Sequence, residues 1–299
     1  THYPAEFIAG LLTHDPGMYP KRLLLAEARR LGVDLLPIDV NKSTDEYRVE
    51  INKSEKAVRM ALTEVAGIST PEVSRIIKSA PFVDLADFYK KARPSRKTIG
   101  RLAALGALDS LAINATRGDL MQKIREITTK PAPRVNSTQA ELNFNVVETL
   151  PTGNPQISTD QQIDYEIGLT GMDITGHLLD KYQPMLDSLG VSRANELSSL
   201  RGNTEVLIAG VRVATQTPPM KSGKRVVFIS LDDSTGCADA TFFDEAQKEC
   251  ADLLFNNRLL LISGKLRRTG KKGVSVLAEN AWDLNQLWIK WERGERLAG

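Results

Sequence analysis

The residues best placed to do chemistry in this chain suit holding a polyanion, and the first group lies between Ala57 and Leu111. Val58, Leu62 and Val65 recur at i, i+4 and i+7, which predicts a helix that stops at Gly67. Thr70 then caps a second helix, with Pro71 at its first position, Glu72 in its first turn, and Val73, Ile76 and Ile77 as its apolar face. Two helices joined through Gly67, Ile68, Ser69 and Thr70 make a helix–hairpin–helix. Its exposed N–H groups at a helix N-terminus bind phosphate without reading bases. Arg75 and Lys78 follow on the second helix, and Arg93, Arg96, Lys97 and Arg101 form a basic run beyond it. Such a run neutralises phosphates and releases counterions. A helical corner that only packs, with a solvated basic end, would use the same residues.

The second group is a peptide. Residues 128–160 read as a flexible linker, with Pro131, Pro133, Pro151 and Pro155 among Ser, Thr, Asn and Gly. Inside it stands Gln139-Ala140-Glu141-Leu142-Asn143-Phe144. Two apolar side chains in a polar tether mark a docking peptide. Leu142 and Phe144 would enter an apolar pocket, and the Gln139 amide would bond at its rim. The alternative is a linker pinned to its own domain by the same two side chains.

A chain of 299 residues with 41% hydrophobic content allows two or three domains. Net charge runs −2 over residues 1–50, +7 over 51–130, −6 over 131–200 and +3 over 201–299. Two basic modules flank an acidic stretch, a pattern that favours a polyanionic partner. No apolar run approaches membrane-spanning length, and no signal-peptide pattern is present. The chain begins at Thr1 without a Met, which fits a piece of a longer protein. Cys237 and Cys250 have neither metal spacing nor a disulfide framework, which fits a reducing cytoplasm. His2, His14 and His177 are too scattered for a metal cluster. Asp232 and Asp233 are adjacent, so on a strand they point to opposite faces. No catalytic residue is assigned.

The first fifty residues read as a helix with Phe7, Ile8, Leu11 and Leu12 on one face, then a helix from Tyr19 to Leu31 with Leu23, Leu24, Ala28 and Leu31 inward. From Thr204 the apolar period falls from about 3.6 to 2. Strands are expected at 206–214, 225–232, 238–243, 259–266 and 274–284, with a helix from a capping Asp244 to Leu254 between the third and fourth. That order is a five-stranded OB barrel. Such barrels stack bases of a single strand on aromatics beside a basic groove. Phe228 would face that surface, framed by Arg212, Lys224, Arg225, Lys265, Arg267 and Arg268, while Phe242 belongs to the core. Trp288 and Trp291 lie in a tail expected to form an amphipathic helix on the barrel.

These parts resemble the bacterial C-family DNA polymerases, the alpha subunits of DNA polymerase III. The resemblance rests on the hairpin at Gly67-Ile68-Ser69, on Phe82–Phe88 and Leu102–Leu111, on the Gln139–Phe144 peptide, and on Phe228–Gly236. Ser69 stands where that family usually has a second hairpin glycine, and Leu178 follows His177 where a Pro is usual. The resemblance implies a multidomain α + β chain. Residues 1–50 would be the end of a fingers-like helical region, 51–127 a helix–hairpin–helix domain, and 128–160 a linker with the clamp-binding peptide. Residues 161–200 would be a helical connector, 201–286 the OB domain and 287–299 a terminal helix. It implies duplex and single-stranded DNA, the sliding clamp (beta subunit), and a polymerase core or other replication and mutagenesis factors as partners, and no membrane. The parent enzyme would use Mg²⁺ at palm carboxylates that this chain lacks, so the chain is expected to hold no cofactor and to be inactive alone. Ala214–Pro219 and Val226–Phe228 look most like the shorter accessory alpha-type of actinobacteria, used in damage tolerance. A non-enzymatic DNA-binding adaptor and an RNA- or tRNA-binding OB protein are the competing readings.

Overall fold

The computed structural model describes residues 2–15, 17, 20–112, 114–129, 152–218, 225–248, 250–269 and 273–296. The chain divides into two compact units, Thr1–Gly176 and His177–Gly299.

Unit 1 opens with α1 (Pro4–His14) and α2 (Lys21–Arg30). A three-stranded sheet follows, from β1 (Asp34–Leu36), β2 (Arg48–Asn52) and β3 (Glu55–Arg59), in the order β1-β3-β2. Strand β3 pairs parallel with β1 and antiparallel with β2. The expected first helix of the hairpin is therefore absent: its residues are β3 and a single 3₁₀ turn at Leu62–Glu64. The apolar run was too short to separate the two periods. Strand neighbours on both sides of β3 decide it, and β-branched Val58 suits the central position. The inward faces of the first helices also differ from expectation. In α1 the buried residues are Ala5, Ile8, Ala9 and Leu12, and Phe7 is exposed. In α2 they are Arg22, Leu25 and Ala28, while Leu31 is at the surface. Helix α2 turns Arg22 inward because its guanidinium clasps the fully buried Asp173 carboxylate, Nε to Oδ1 at 2.8 Å and Nη2 to Oδ2 at 2.9 Å.

The other described elements of unit 1 include α3 (Thr70–Ser79), α4 (Leu85–Ala92), α5 (Arg96–Ala104), α6 (Arg117–Thr129) and α7 (Thr159–Thr170). One core joins the sheet to these helices through Met60, Leu62, Val73, Ile76, Phe88, Ile99, Leu102 and Leu108. Residues 152–158, assigned by composition to the linker, lie against the start of α6. Asn154 donates to Asp119 from its backbone N–H and its amide, both at 2.9 Å, and its carbonyl accepts from Thr116 Oγ1 at 2.8 Å. The stretch 161–200, expected as one connector, is shared between the units. Helix α7 belongs to unit 1, where buried Glu166 accepts from the N–H groups of Ile174 and Thr175 at 2.7 and 2.8 Å. Helix α8 (Gln183–Ser188) belongs to unit 2.

Unit 2 is a closed barrel of β4 (Glu205–Gln216), β5 (Val227–Asp232), β6 (Cys237–Phe242), β7 (Leu259–Thr269) and β8 (Gly273–Asp283), in the order β4-β5-β6-β8-β7. Closure needs strands to bend, and β7 bends at a bulge beside Gly264. The Leu277 carbonyl stands where a side chain at Gly264 would begin, so only glycine fits. The single helix expected after β6 is two short ones, α9 (Asp244–Gln247) and α10 (Ala251–Asn256). Phe243, not Asp244, holds the cap position, without a side-chain cap bond. Helix α11 (Leu284–Glu292) packs Leu284, Leu287, Trp288 and Trp291 with Tyr182 on the barrel. Buried His177 begins the unit: its Nδ1 accepts from Leu179 N–H at 3.2 Å and its Nε2 lies 3.3 Å from Asp232 Oδ2.

What sets the hairpin in place is Glu72, 7% exposed. Ser69, not Thr70, caps α3, in a capping box with Glu72. The Glu72 Oε2 accepts from Ser69 Oγ at 2.9 Å and Ser69 N–H at 3.2 Å. Its Oε1 accepts from the N–H of Ser95, the cap of α5, at 2.7 Å. One carboxylate thus ties two helix starts together. Burial by itself would raise its pKa, but the bonds from Ser95 and Ser69 outweigh burial and hold it at about 2, against an ordinary 4.5. A depressed carboxylate stabilises the fold fully above its unfolded pKa, and that stability drains as pH falls from 4.5 towards 2. Glu72→Gln is expected to destabilise unit 1 by about 3 kcal/mol at pH 7 and by almost nothing near pH 2. All three Trp lie in unit 2, so unit 1 is followed by far-UV circular dichroism in urea. A difference that does not change with pH would show that the charge of Glu72 is not what holds the hairpin.

Candidate nucleic-acid interface

The hairpin Val65–Thr70 turns at Gly67, whose φ is +68°, and closes with Ile68 N–H to Val65 C=O at 3.0 Å. That dihedral favours glycine. Arg101 reaches across from α5, donates to the Ala66 carbonyl, and fills the space where a Gly67 side chain would be. Ala66 N–H donates to the Leu169 carbonyl at 2.8 Å, so the C-terminal turn of α7 supports the hairpin from behind. Ile68 is half-buried against the core, while Gly67, Ser69 and Thr70 are exposed. Among the described residues no acceptor pairs with the N–H groups of Gly67 and Thr70.

A second helix start repeats this arrangement. Helix α4 ends at Arg93, left-handed at φ +46°, buried Pro94 follows, and Ser95 caps α5 by accepting from Thr98 N–H at 3.2 Å. Arg93, Arg96 and Lys97 are exposed there, and no ion pair engages them among the described residues. Glu72 brings the start of α5, where these residues lie, beside the Ser69 cap of α3. Two predicted cations do other work. Arg75 donates from Nε to the Ala92 carbonyl at 3.0 Å and from Nη2 to the Arg93 carbonyl at 3.3 Å, closing the end of α4. Arg101 is engaged at the hairpin. Lys78 is exposed but sits about 12 Å along α3 from Thr70, at 1.5 Å per residue. The tie itself, Glu72, stands in the sequence as a first-turn acid. The Ser-x-x-Glu spacing of Ser69 and Glu72 was the available signal for the capping box. Its bond to Ser95 had no sequence signal.

On the barrel, Phe228 is 40% exposed. The strand register aligns Gln216, Phe228, Thr241 and Leu277 across β4, β5, β6 and β8, and Leu277 is also exposed. Phe242 is fully buried and Phe243 is exposed. The cations are less available than the sequence suggests. Arg212 donates to the Asn257 and Phe255 carbonyls, each at 2.9 Å, and Arg268 donates to the Ser198 and Leu200 carbonyls. Lys265 faces Glu279 at 3.5 Å. Arg225 lies over the Phe255 ring. Arg267 is exposed. Lys224 and the peptide residues Gln139, Leu142 and Phe144 lie outside the described residues.

The adjacent carboxylates build a turn. Asp233 accepts from Thr235 N–H at 2.9 Å, Gly236 N–H at 3.1 Å and Ala194 N–H at 2.7 Å. Asp232 accepts from Ser234 N–H at 3.1 Å and faces His177. With these oxygens committed, the pair does not fit the open carboxylate site that Mg²⁺ would need. Among the described residues no three His, Cys, Asp or Glu side chains gather as metal ligands. No helix among them is long and apolar enough to cross a membrane.

Residues 32–119 match a helix-hairpin-helix motif family, and residues 206–284 match an OB-fold nucleic acid binding domain family. The error-prone DNA polymerase of Symbiobacterium thermophilum is 31% identical over 86% of this chain and 27% of its own length. That of Corynebacterium glutamicum is 31% identical over 99% of this chain and 26% of its own. The DNA polymerase III subunit alpha of Vibrio cholerae is 26% identical over 98% of this chain and 26% of its own. The chain thus spans about a quarter of the length of these relatives. A hairpin unit followed by an OB barrel, aligned with these polymerases along most of its residues, fits a C-terminal portion of an alpha-type subunit.

Proposed function

We propose that this chain holds DNA and the sliding clamp for an alpha-type polymerase and does not itself polymerise. The observation that carries the reading is the pair of helix starts tied by Glu72, with Arg93, Arg96 and Lys97 exposed and unpaired around them among the described residues. Free N–H groups and cations on one side of a unit suit the phosphates of a duplex, whose backbone repeats at regular spacing. Unit 2 takes the single-stranded template, by stacking on Phe228 more than by charge, because Arg212 and Arg268 spend their donors on carbonyls. The peptide at Gln139, Leu142 and Phe144 docks on the clamp. Unit 1 holds the chain on both sides of it, at α6 and at Asn154, so the hairpin unit carries the clamp contact. Work at the nucleoid in the cytoplasm goes with this role, and the relatives' names leave replication and error-prone synthesis as its two settings.

Arg96→Ala with Lys97→Ala is expected to weaken duplex binding and to make the log–log salt slope shallower by about 2. An unchanged slope means that the phosphates are held elsewhere. Gln139→Ala with Leu142→Ala and Phe144→Ala is expected to cost about 2–4 kcal/mol of clamp affinity by calorimetry. Equal affinity removes the clamp from this reading. Primer extension by the purified chain is expected to be nil, and any extension overturns the claim that the catalytic carboxylates lie outside it. Single-stranded RNA is expected to compete poorly for bound duplex, whereas strong competition favours an RNA-binding OB protein.

A further inference from the structure

We propose that Phe255 and Arg225 form a second stacking station on the barrel, apart from Phe228, that takes one base of a single strand. It rests on the reading of unit 2 as a single-strand binder and extends it. Arg225 leads into β5 and is exposed, with its guanidinium carbon 5.1 Å from the centroid of the Phe255 ring. Phe255, in α10, is 38% exposed. An exposed cation–aromatic pair contributes little to folding, yet both backbones here are clamped. Arg212 holds the Phe255 carbonyl through Nη2 and the Asn257 carbonyl through Nε, and its Nη1 donates to Thr215 Oγ1 at 3.0 Å. Gln247 Nε2 donates to the Arg225 carbonyl at 2.8 Å and to the Phe242 carbonyl at 2.9 Å. Clamping lowers the ordering cost of binding.

The stack offers a base a flat π surface, and the guanidinium fork offers N–H donors to the adjoining phosphate. No carboxylate pairs with Arg225 among the described residues. Phe228 lies three residues beyond Arg225, about 10 Å at an extended rise. An OB fold covers about 4–16 nucleotides, so one strand reaches both stations. Phe243, exposed where β6 passes into α9, lies at the same end of the barrel, because Val227 at the start of β5 pairs with Phe242.

The test uses the whole chain and a fluorescent oligothymidine of about 12 nucleotides, with excess unlabelled duplex occupying unit 1. Phe255→Ala and Arg225→Ala are each expected to weaken binding about tenfold by anisotropy, as loss of one stacked base does. Phe255→Leu keeps most of the side-chain volume without the aromatic face and is expected to weaken it equally. Duplex affinity stays unchanged in all three. If Phe228→Ala weakens binding and these three bind like wild type, the station is overturned and the single-strand reading survives. If Phe255→Leu binds like wild type while Phe255→Ala does not, the loss is one of packing and the station falls. If wild type does not bind oligothymidine at all, station and reading fall together.

Discussion

The buried carboxylate of Glu72 is the constraint on which the hairpin unit depends. A helix N-terminus leaves N–H groups unsatisfied, and each start needs a cap. Here Ser69 and Ser95 cap their own helices, and Glu72 then takes the N–H of both caps. Two helix dipoles point their positive ends at one region, and a single negative charge stands between them. The carboxylate offsets part of that field from inside the fold, and the outer surface stays positive. Among the described residues Glu72 is the group that bonds both caps, while Arg75 and Arg101 tie the same elements further out. The surface that can receive phosphates is therefore a by-product of an internal ion held by backbone donors.

Arginine serves two ends in this chain, and pairing with carbonyls separates them. Arg75, Arg101, Arg212 and Arg268 donate to main-chain carbonyls at helix ends and turns. Each satisfies acceptors that would otherwise be left unpaired, and a planar fork suits that task. Arg93, Arg96, Lys97 and Arg267 remain at the surface. The distinction matters for function, since a donor spent on a carbonyl contributes little to binding a strand. On the barrel it leaves aromatic surface as the main resource. In the hairpin unit it leaves charge.

The return of residues 152–176 to unit 1 is the other organising contact. Arg22 clasps Asp173, Arg29 donates to the Asp173 carbonyl, and Glu166 gathers the N–H groups of Ile174 and Thr175. Arg22, Asp173 and Glu166 are buried, and each is paired, which is the condition for tolerating them. Helix α7 thereby reaches the hairpin through Leu169 and Ala66. The hairpin is braced by chain that comes more than sixty residues later than α5 begins.

Local pattern determined much of this protein by itself. The period of 2 after Thr204, with a helical break before the last two strands, specified the OB barrel, because alternation on a half-buried strand is a local property. Gly67, Pro71 and Glu72 marked the start of α3 for the same reason, and Phe242 was legible as core. Tertiary structure decided the rest. Whether Ala57–Val65 is helix or strand depended on β1 and β2 on either side of β3, and a run that short satisfies both periods. Which face of α2 turns inward depended on Asp173, a partner 151 positions away. Which arginines remain free for a ligand depended on carbonyls that only the folded chain brings near them. Sequence states the donors, but pairing is a matter of distance, and distances across the chain are set when the core forms.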